Sequence, residues 1–96
     1  MSLTTSVVIP VFNGAATIGH ALSSIINQTR PPQEVIVVND LSTDSTEEVV
    51  ALIATTSPIP IRLINNGQNL GPGLSRNAGW AQATGDLIAF LDADDA

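Results

Sequence analysis

The stretch Leu87-Ile88-Ala89-Phe90-Leu91-Asp92-Ala93-Asp94-Asp95-Ala96 is an apolar run that stops in three carboxylates within four positions. A short apolar run of this kind is typical of a buried strand, so the carboxylates should emerge together at one end of a sheet. Asp92 and Asp94 lie two positions apart and point the same way in extended backbone. Mg²⁺ and Mn²⁺ favour such oxygen ligands, completed by substrate phosphates. The stretch therefore predicts a divalent-cation site with Asp92 and Asp94 as ligands.

Composition narrows the class of protein around this stretch. The 96 residues are 44% hydrophobic and 12% charged, which fits one small globular domain. The net charge is −6, with nine acids against Arg30, Arg62 and Arg76 and no lysine. This balance argues against a nucleic-acid partner, and the absence of lysine excludes a Walker-type nucleotide site. Without cysteine the sequence offers neither a disulfide nor a thiolate metal site.

The sequence also carries no targeting signal that we recognise. No apolar run approaches the roughly 18 residues that span a bilayer, and the N-terminus does not resemble a charged leader followed by an apolar core. We therefore expect a cytoplasmic protein, and we leave open membrane association of a longer, full-length protein.

Three further apolar runs predict strands. Residues 7–10 and 35–38 are continuous and β-branched, which is typical of strands buried on both faces, and the ladder of the first is expected to stop at Pro10. In residues 61–64 the charged Arg62 lies between apolar neighbours, which indicates an edge strand.

The segments between the strands have apolar residues at helical spacing. We expect Pro31 and Pro32 to close the first helix, Ser45 and Glu48 to form a capping box on the second, and Pro72 to occupy the first turn of the third. The predicted buried faces are Ile18, Leu22, Ile25 and Ile26 in the first helix, Val49, Leu52 and Ile53 in the second, and Leu74, Ala78 and Ala81 in the third.

Strands and helices thus alternate as β-α-β-α-β-α-β, which predicts a three-layer, Rossmann-like α/β fold with a parallel sheet and helices on both faces. We expect the strand order 3-2-1-4. Ligands of open α/β sheets bind outside the carboxyl ends of the strands, where the order reverses. The polar and aromatic candidates that follow strand ends are Pro10 with Phe12, Asp40, Asn65 with Asn66, and Asp92 with Asp94.

Each candidate also has a purely structural interpretation. The acids at 92–95 are compatible with a solvated loop. Asp40 is compatible with an Asx-turn before Ser42. The ring of Phe12 is compatible with a place in the core as well as with stacking on a base. Arg76 is compatible with a surface charge or with a diphosphate or carboxylate partner.

Three other features receive no functional role from the sequence. His20 is predicted to be exposed and inert, because catalysis by histidine needs partners within reach. Trp80 is predicted to serve packing. Gly71-Pro72-Gly73 does not have the spacing of a dinucleotide fingerprint, and it precedes the third helix rather than the first.

Four segments, taken together, resemble the N-terminal, nucleotide-binding half of inverting family 2 glycosyltransferases with the GT-A fold. They are Val8-Ile9-Pro10-Val11-Phe12-Asn13, Val37-Val38-Asn39-Asp40-Leu41-Ser42-Thr43-Asp44, residues 69–79 and residues 90–95. The resemblance extends from about Ser6 to Ala96. Any one segment is unspecific, but four in the right order and spacing are a strong indication.

The resemblance implies roles for the first two segments. Pro10, Val11 and Phe12 are expected to line the nucleotide pocket, and Asp40 is expected to hydrogen-bond the base, usually uracil. Asn39 stands where the family often has aspartate, and Leu41 where it often has glycine. The turn beside the base is therefore expected to differ from that of most members.

The resemblance likewise implies roles for the later segments. Asp92-Ala93-Asp94 is similar to the family's D-x-D motif, whose acids meet the ribose and, through Mn²⁺ or Mg²⁺, the diphosphate. The residues that match the loop and helix start shaping the donor site are Asn69, Gly71, Arg76 and Asn77.

The implied activity is metal-assisted, inverting sugar transfer of the hexosyltransferase type from a nucleotide-diphospho-sugar, expected to be a UDP-sugar, to an unidentified glycan, lipid or protein. Residues 1–96 would be the donor-binding part of a truncated GT-A domain. The catalytic base is expected beyond Ala96, because no residue here is a convincing candidate. The fragment alone is expected to be inactive and to self-associate through exposed apolar surface.

Two alternatives to the transferase stay open at this point. A non-enzymatic nucleotide-binding or assembly module would need only the binding residues. A dehalogenase-like phosphohydrolase would use Asp92 and Asp94 as nucleophile and acid, although that family places its paired aspartates after the first strand and not after the fourth.

Overall fold

The computed structural model describes residues 3–93, so Asp94, a predicted metal ligand, lies outside the described residues. Every strand pair is parallel, and the order is β3-β2-β1-β4. The predicted alternation, parallel sheet and strand order are therefore confirmed. The elements are β1 (Thr5–Val11), α1 (Ile18–Ile26), β2 (Glu34–Asn39), α2 (Thr46–Thr56), β3 (Ile61–Asn65), α3 (Gly71–Gln82) and β4 (Leu87–Phe90).

Two apolar clusters, one on each face of the sheet, make the fold three-layered. On one face, Ile9 and Val37 pack against Leu22 of α1 and Val50 of α2. On the other face, the side chains of Val8, Ile36 and Val38 pack against Ala78 of α3. Alternate residues of β1 and β2 serve opposite faces, as expected for central strands covered on both sides.

The ladder between β1 and β2 runs one residue further than the sequence predicted. Val11 still pairs with Asn39, and its carbonyl accepts the Asp40 N–H at 2.8 Å. Pro10 lacks only the backbone N–H, so the hydrogen-bonded ladder can continue past it. The residues that follow β1 and β2 therefore leave the sheet side by side.

The strand β4 is at an edge and is largely exposed, so its prediction as a buried strand was wrong. It pairs with β1 on one side, and Leu87 and Phe90 remain exposed. The other edge is β3, as the charge at Arg62 predicted. Apolar content alone did not reveal how many neighbours β4 has, since that depends on the sheet around it.

The buried faces of α2 and α3 also differ from prediction. In α2, Val50 is buried whereas Leu52 is 72% exposed. In α3, Ser75 and Gly79 are buried whereas Leu74 is exposed. The helix backbone approaches the sheet so closely at Gly79 that an added Cβ would lie 2.3 Å from a Val8 methyl carbon, so small residues and not large ones face the sheet.

Several local predictions can now be judged as well. The first helix ends at Ile26, before Pro31. Ser45 occupies the N-cap of α2 but makes no side-chain cap hydrogen bond, so the capping box was wrong. His20 is exposed as predicted, whereas Trp80 is 59% exposed and does not serve packing. Within the described residues, none of the helices has the length and apolar character needed to cross a bilayer.

A polar cluster around buried Glu34 holds the amino ends of the strands together. The carboxylate accepts hydrogen bonds from Ser6 Oγ (2.7 Å) and from both the N–H and hydroxyl of Thr84 (2.8 Å each), and it pairs with Arg62 (3.2 Å). Burial raises the pKa of Glu34, but the hydrogen bonds and the Arg62 charge outweigh burial, and the pKa lies below its ordinary value.

Candidate functional site

A cavity of ≈ 440 Å³ lies at the opposite end of the sheet, where the strands have their carboxyl ends. Such an edge is where open α/β sheets bind ligands. The structure brings six of the predicted site residues to this cavity, namely Pro10, Val11, Phe12, Asp40, Asp92 and Ala93. The cavity is also lined by five residues that the sequence did not single out as contacts, namely Asn13, Gly14, Thr17, Pro72 and Ser75.

The wall formed by β1 presents one large apolar surface to the cavity. Val11 is buried in the core, whereas Phe12, the next residue, is 54% exposed. The question whether Phe12 belongs to the core is therefore answered, since its ring lies at the surface beside the cavity. A flat, accessible aromatic ring can stack on another planar group.

Asp40 is buried at the end of β2, and its carboxylate organises the loop that leads into α3. One oxygen accepts the Leu70 N–H (2.7 Å) and the Asn66 amide (2.9 Å), and the other accepts the Gly71 N–H (3.0 Å). Leu70 is the N-cap of α3 and makes no side-chain cap bond of its own. Asp40 therefore caps α3 from a distant part of the chain.

The same contacts set the charge state of Asp40. Burial raises the pKa of its carboxyl, but hydrogen bonds from Leu70, Asn66, Gly71 and Asn69 outweigh burial, and the pKa lies below its ordinary value. An ionised carboxylate has about four lone-pair sites, and three of them accept the Leu70, Asn66 and Gly71 donors. The Asx-turn that the sequence allowed at Asp40 is not formed, because the Ser42 N–H donates to the side chain of Asn39 at 3.2 Å.

The turn after Asp40 has a strained backbone. Leu41 has φ of 58°, in the left-handed region where a side chain costs about 1–2 kcal/mol. Glycine would adopt the same backbone without that cost, and whether this turn differs from that of most family members stays a prediction.

Four residues that were predicted to shape the donor site do not line the cavity, namely Asn69, Gly71, Arg76 and Asn77. Asn69 and Gly71 act through Asp40, since the Asn69 amide donates to the Asp40 carbonyl at 2.6 Å and the Gly71 N–H donates to its carboxylate. Arg76 is half-buried on α3 beside Ser75 and is absent from the described lining. Its expected contact with a diphosphate stays a prediction.

Asn66 is the residue whose role the sequence suggested least clearly. Its buried amide donates to both Asp40 (2.9 Å) and Ser75 Oγ (3.0 Å), which joins the end of β2 to α3. The only signal in the sequence was its position after a predicted strand. That signal placed it at the correct edge but did not indicate which groups it joins.

The cavity is acidic. Among the described residues that line it, the charged ones are Asp40 and Asp92. Within residues 3–93, no three Asp, Glu, His or Cys side chains come close enough to form a metal cage. A carboxylate such as Asp92 nevertheless suits a Mg²⁺ or Mn²⁺ ion that takes its remaining ligands from water and substrate phosphates.

The turn between β1 and α1 differs from a dinucleotide-binding turn. There, backbone N–H groups at the helix start usually receive a pyrophosphate. Here the Gly14 N–H donates to Thr46 Oγ1 (3.0 Å) and the Ala15 N–H to Asp44 (3.2 Å). Because these two amides of the loop before α1 are occupied and one acceptor is itself an anion, they are not available to a diphosphate.

Two solved structures share this arrangement of strands and helices. The mannosyltransferase PcManGT from Pyrobaculum calidifontis, in complex with GDP-Man and Mn²⁺, is 31% identical with a TM-score of 0.90, covering 98% of this chain and 28% of that one. S. aureus TarS 1-349 in complex with UDP-GlcNAc is 32% identical with a TM-score of 0.86, covering 96% of this chain and 27% of that one.

The sequence comparisons agree. An uncharacterised glycosyltransferase of Nostoc sp. is 40% identical over 90 residues, which are 94% of this chain and 28% of the Nostoc protein. The chain thus spans under a third of the length of each of these three relatives. The profile of the family described as glycosyl transferase family 2 matches residues 6–96. A match over nearly the whole chain, together with a fold shared with these two structures, shows that this chain belongs to glycosyl transferase family 2.

Proposed function

We propose that this chain supplies the donor-binding part of a glycosyltransferase that transfers a sugar from a UDP-sugar with inversion and with the help of a divalent cation. The observation that carries the proposal is the cavity at the carboxyl edge, where Phe12, Asp40 and Asp92 meet. A base needs an aromatic surface on which to stack and a hydrogen-bond acceptor for its polar edge. A diphosphate needs a carboxylate that holds a metal ion.

The free acceptor site on Asp40 favours uracil among the bases. Uracil presents one ring N–H between two carbonyl oxygens, whereas guanine presents an N–H beside an exocyclic amino group and so offers two donors. The Asp40 carboxylate has one lone-pair site left after its three protein donors. The count matches a single donor, and the exposed ring of Phe12 beside the cavity supports stacking on the base.

The acidic cavity supports the need for a cation. A diphosphate beside Asp40 and Asp92 is repelled by about 1 kcal/mol per close charge pair in water and roughly 4 kcal/mol at a partly buried site. Asp92, together with Asp94, would hold the ion. When bound, such a cation stabilises negative charge on the leaving diphosphate and orients it.

The remaining parts of the reaction are proposed to lie outside this chain. We expect the catalytic base and the acceptor site in the part of the full-length protein that this chain does not span, so the chain alone should bind donor without transferring sugar. The exposed Leu87 and Phe90 on β4 support self-association of the isolated chain. A dehalogenase-like phosphohydrolase has less support, because β1 is followed by Phe12 and Asn13 and not by an acid.

Calorimetric titration of UDP with and without Mn²⁺ tests the proposal. Mn²⁺ should raise UDP affinity at least about tenfold, the equivalent of 1.4 kcal/mol, and the gain should disappear in Asp94→Asn. Equal affinity in all three titrations would refute the metal bridge. GDP, titrated as the matched ligand, should bind more weakly than UDP, and a preference for GDP would overturn the assignment of uracil.

A further inference from the structure

Side-chain hydrogen bonds join two loops at the carboxyl edge, the loop of residues 12–17 after β1 and the loop of residues 40–45 after β2. The Asn13 N–H donates to Ser42 Oγ at 2.9 Å, and Asn13 Oδ1 accepts the Thr43 N–H at 2.8 Å. Asn13 has φ of 51°, which asparagine tolerates better than most residues. Its contacts thus hold the backbone directly after Phe12.

Thr46, at the start of α2, is the centre of the second connection. Its hydroxyl accepts the Gly14 N–H at 3.0 Å and donates to Asp44 Oδ1, which also accepts the Thr46 N–H at 3.0 Å. The other Asp44 oxygen accepts the Ala15 N–H at 3.2 Å. The Thr46 hydroxyl lowers the pKa of Asp44, so this acceptor stays ionised. Thr46 is fully buried and is not part of the cavity lining.

The position of Gly14 matters for the cavity because its surroundings leave no room. A Cβ at Gly14 would lie 2.4 Å from a Val11 methyl carbon and 3.7 Å from the Cβ of Ala93. Gly14 is therefore wedged between β1 and the segment that carries Asp92. A shift of the Gly14 backbone would displace the cavity wall that carries Phe12 (the Phe12 wall), the segment of Asp92 and Ala93 (the Asp92 segment), or both.

We propose that Thr46 is a positioning residue for donor binding, which fixes the Gly14 backbone through its hydroxyl and thereby sets the spacing between the Phe12 wall and the Asp92 segment. This inference rests on the proposed donor function. Thr46 itself touches no ligand. Its contribution is preorganisation, since a wall held in place before binding need not be ordered by the ligand.

A matched pair of variants tests this role. Thr46→Val keeps the shape of the side chain and removes the hydroxyl, whereas Thr46→Ser keeps the hydroxyl and removes a methyl group. UDP affinity in the presence of Mn²⁺, measured by calorimetry, should fall about fivefold to tenfold in Thr46→Val. It should stay within about twofold of wild type in Thr46→Ser, because the hydrogen bonds to Gly14 and Asp44 remain.

A second measurement reports on Gly14 directly. Amide hydrogen exchange at Gly14 should be slow in wild type and in Thr46→Ser and faster in Thr46→Val. If Thr46→Val does not fold, Asp44→Ala replaces it, because Asp44 is exposed and outside the cavity lining but anchors the same hydroxyl. It should weaken UDP binding in the same direction.

Thr84→Val is the control for general loss of stability. Thr84 also donates a hydroxyl hydrogen bond to a carboxylate, that of Glu34, but at the opposite end of the sheet. UDP affinity should be unchanged in this variant. If wild type binds UDP and Thr46→Val binds it equally well, the positioning role is refuted and the donor function stands. If wild type binds neither UDP nor GDP, the donor function fails and the positioning role fails with it.

Discussion

Replacing Asp40 by alanine should destabilise the chain far more than loss of an ordinary loop carboxylate. The Asp40 carboxylate accepts three hydrogen bonds, from the backbone of Leu70 and Gly71 and from the side chain of Asn66, and the residue is buried. Two of these donors start α3, so the substitution removes the cap of a helix as well as the link between that helix and β2.

The magnitude follows from the three bonds. A hydrogen bond to a charged group contributes about 1.5–3 kcal/mol net, so three such bonds at the low end give roughly 4–5 kcal/mol. Water entering from the adjoining cavity would accept hydrogen bonds from some of the donors that Asp40 leaves, so we expect the free energy of unfolding to fall by about 3 kcal/mol. For a domain of this size, each 1 kcal/mol lowers the melting temperature by roughly 4–8 °C. The midpoint should therefore fall by at least about 12 °C.

Thermal unfolding followed by circular dichroism measures this shift. Asp86→Ala is the matched control, because Asp86 accepts two hydrogen bonds from Thr4 but is exposed, so water can replace its bonds and the shift should be smaller. An Asp40→Ala midpoint within about 3 °C of wild type would refute the capping role, since three charge-assisted bonds cannot be lost at so little cost. UDP binding should weaken in the same variant, because the remaining acceptor site disappears with the carboxylate.

Three further predictions concern the scaffold of the site. Gly79→Ala should lower the free energy of unfolding, measured by chemical denaturation, by about 2 kcal/mol, because the added Cβ would lie 2.3 Å from a methyl carbon of β1. Gly73→Ala in the same helix is the control and should be neutral or stabilising, because its Cβ would have nothing within 4 Å. Leu41→Gly should stabilise the chain by up to about 1 kcal/mol in the same assay, since it relieves a left-handed backbone. The melting temperature should fall with acidification, because the pKa values of Glu34 and Asp40 in the folded chain lie below their ordinary values of 4.5 and 3.8. The two carboxylates contribute fully to stability above those ordinary values, and this stability is lost as the pH falls through the lower folded-state pKa values.

Much of the fold could be predicted from the sequence because its signals are local. The β-branched runs at 7–10 and 35–38 mark the two central strands, and their alternation with helical segments is sufficient to predict a parallel sheet. The polar residues after each strand then lie at one edge by geometry alone. The same reasoning predicts that Asp40 and Asp92 lie at one edge, and the structure places both beside one cavity.

Helix faces and end contacts could not be predicted in this way. Leu74 looked like a core residue by its hydropathy, yet α3 turns Ser75 and Gly79 inward because close approach of two backbones requires small residues. Ser45 fitted a capping box, but its side chain makes no cap hydrogen bond, and the acceptor at the start of α2 is Asp44, which accepts the Thr46 N–H. Which helix face is buried and which groups cap the helix depend on the distance between elements. Local sequence patterns do not contain that distance.

Local patterns in the sequence are sufficient to predict the order of the elements, the edge of the sheet that carries the cavity and the acidic character of that edge. Tertiary packing, in contrast, selects the contacts by which Asp40 caps α3 and by which Thr46 and Asp44 accept the amides of Gly14 and Ala15. The reason is physical. Periodicity is a property of neighbouring residues, whereas a hydrogen bond such as that from Gly14 to Thr46 joins residues 32 positions apart, and its partners are selected by packing.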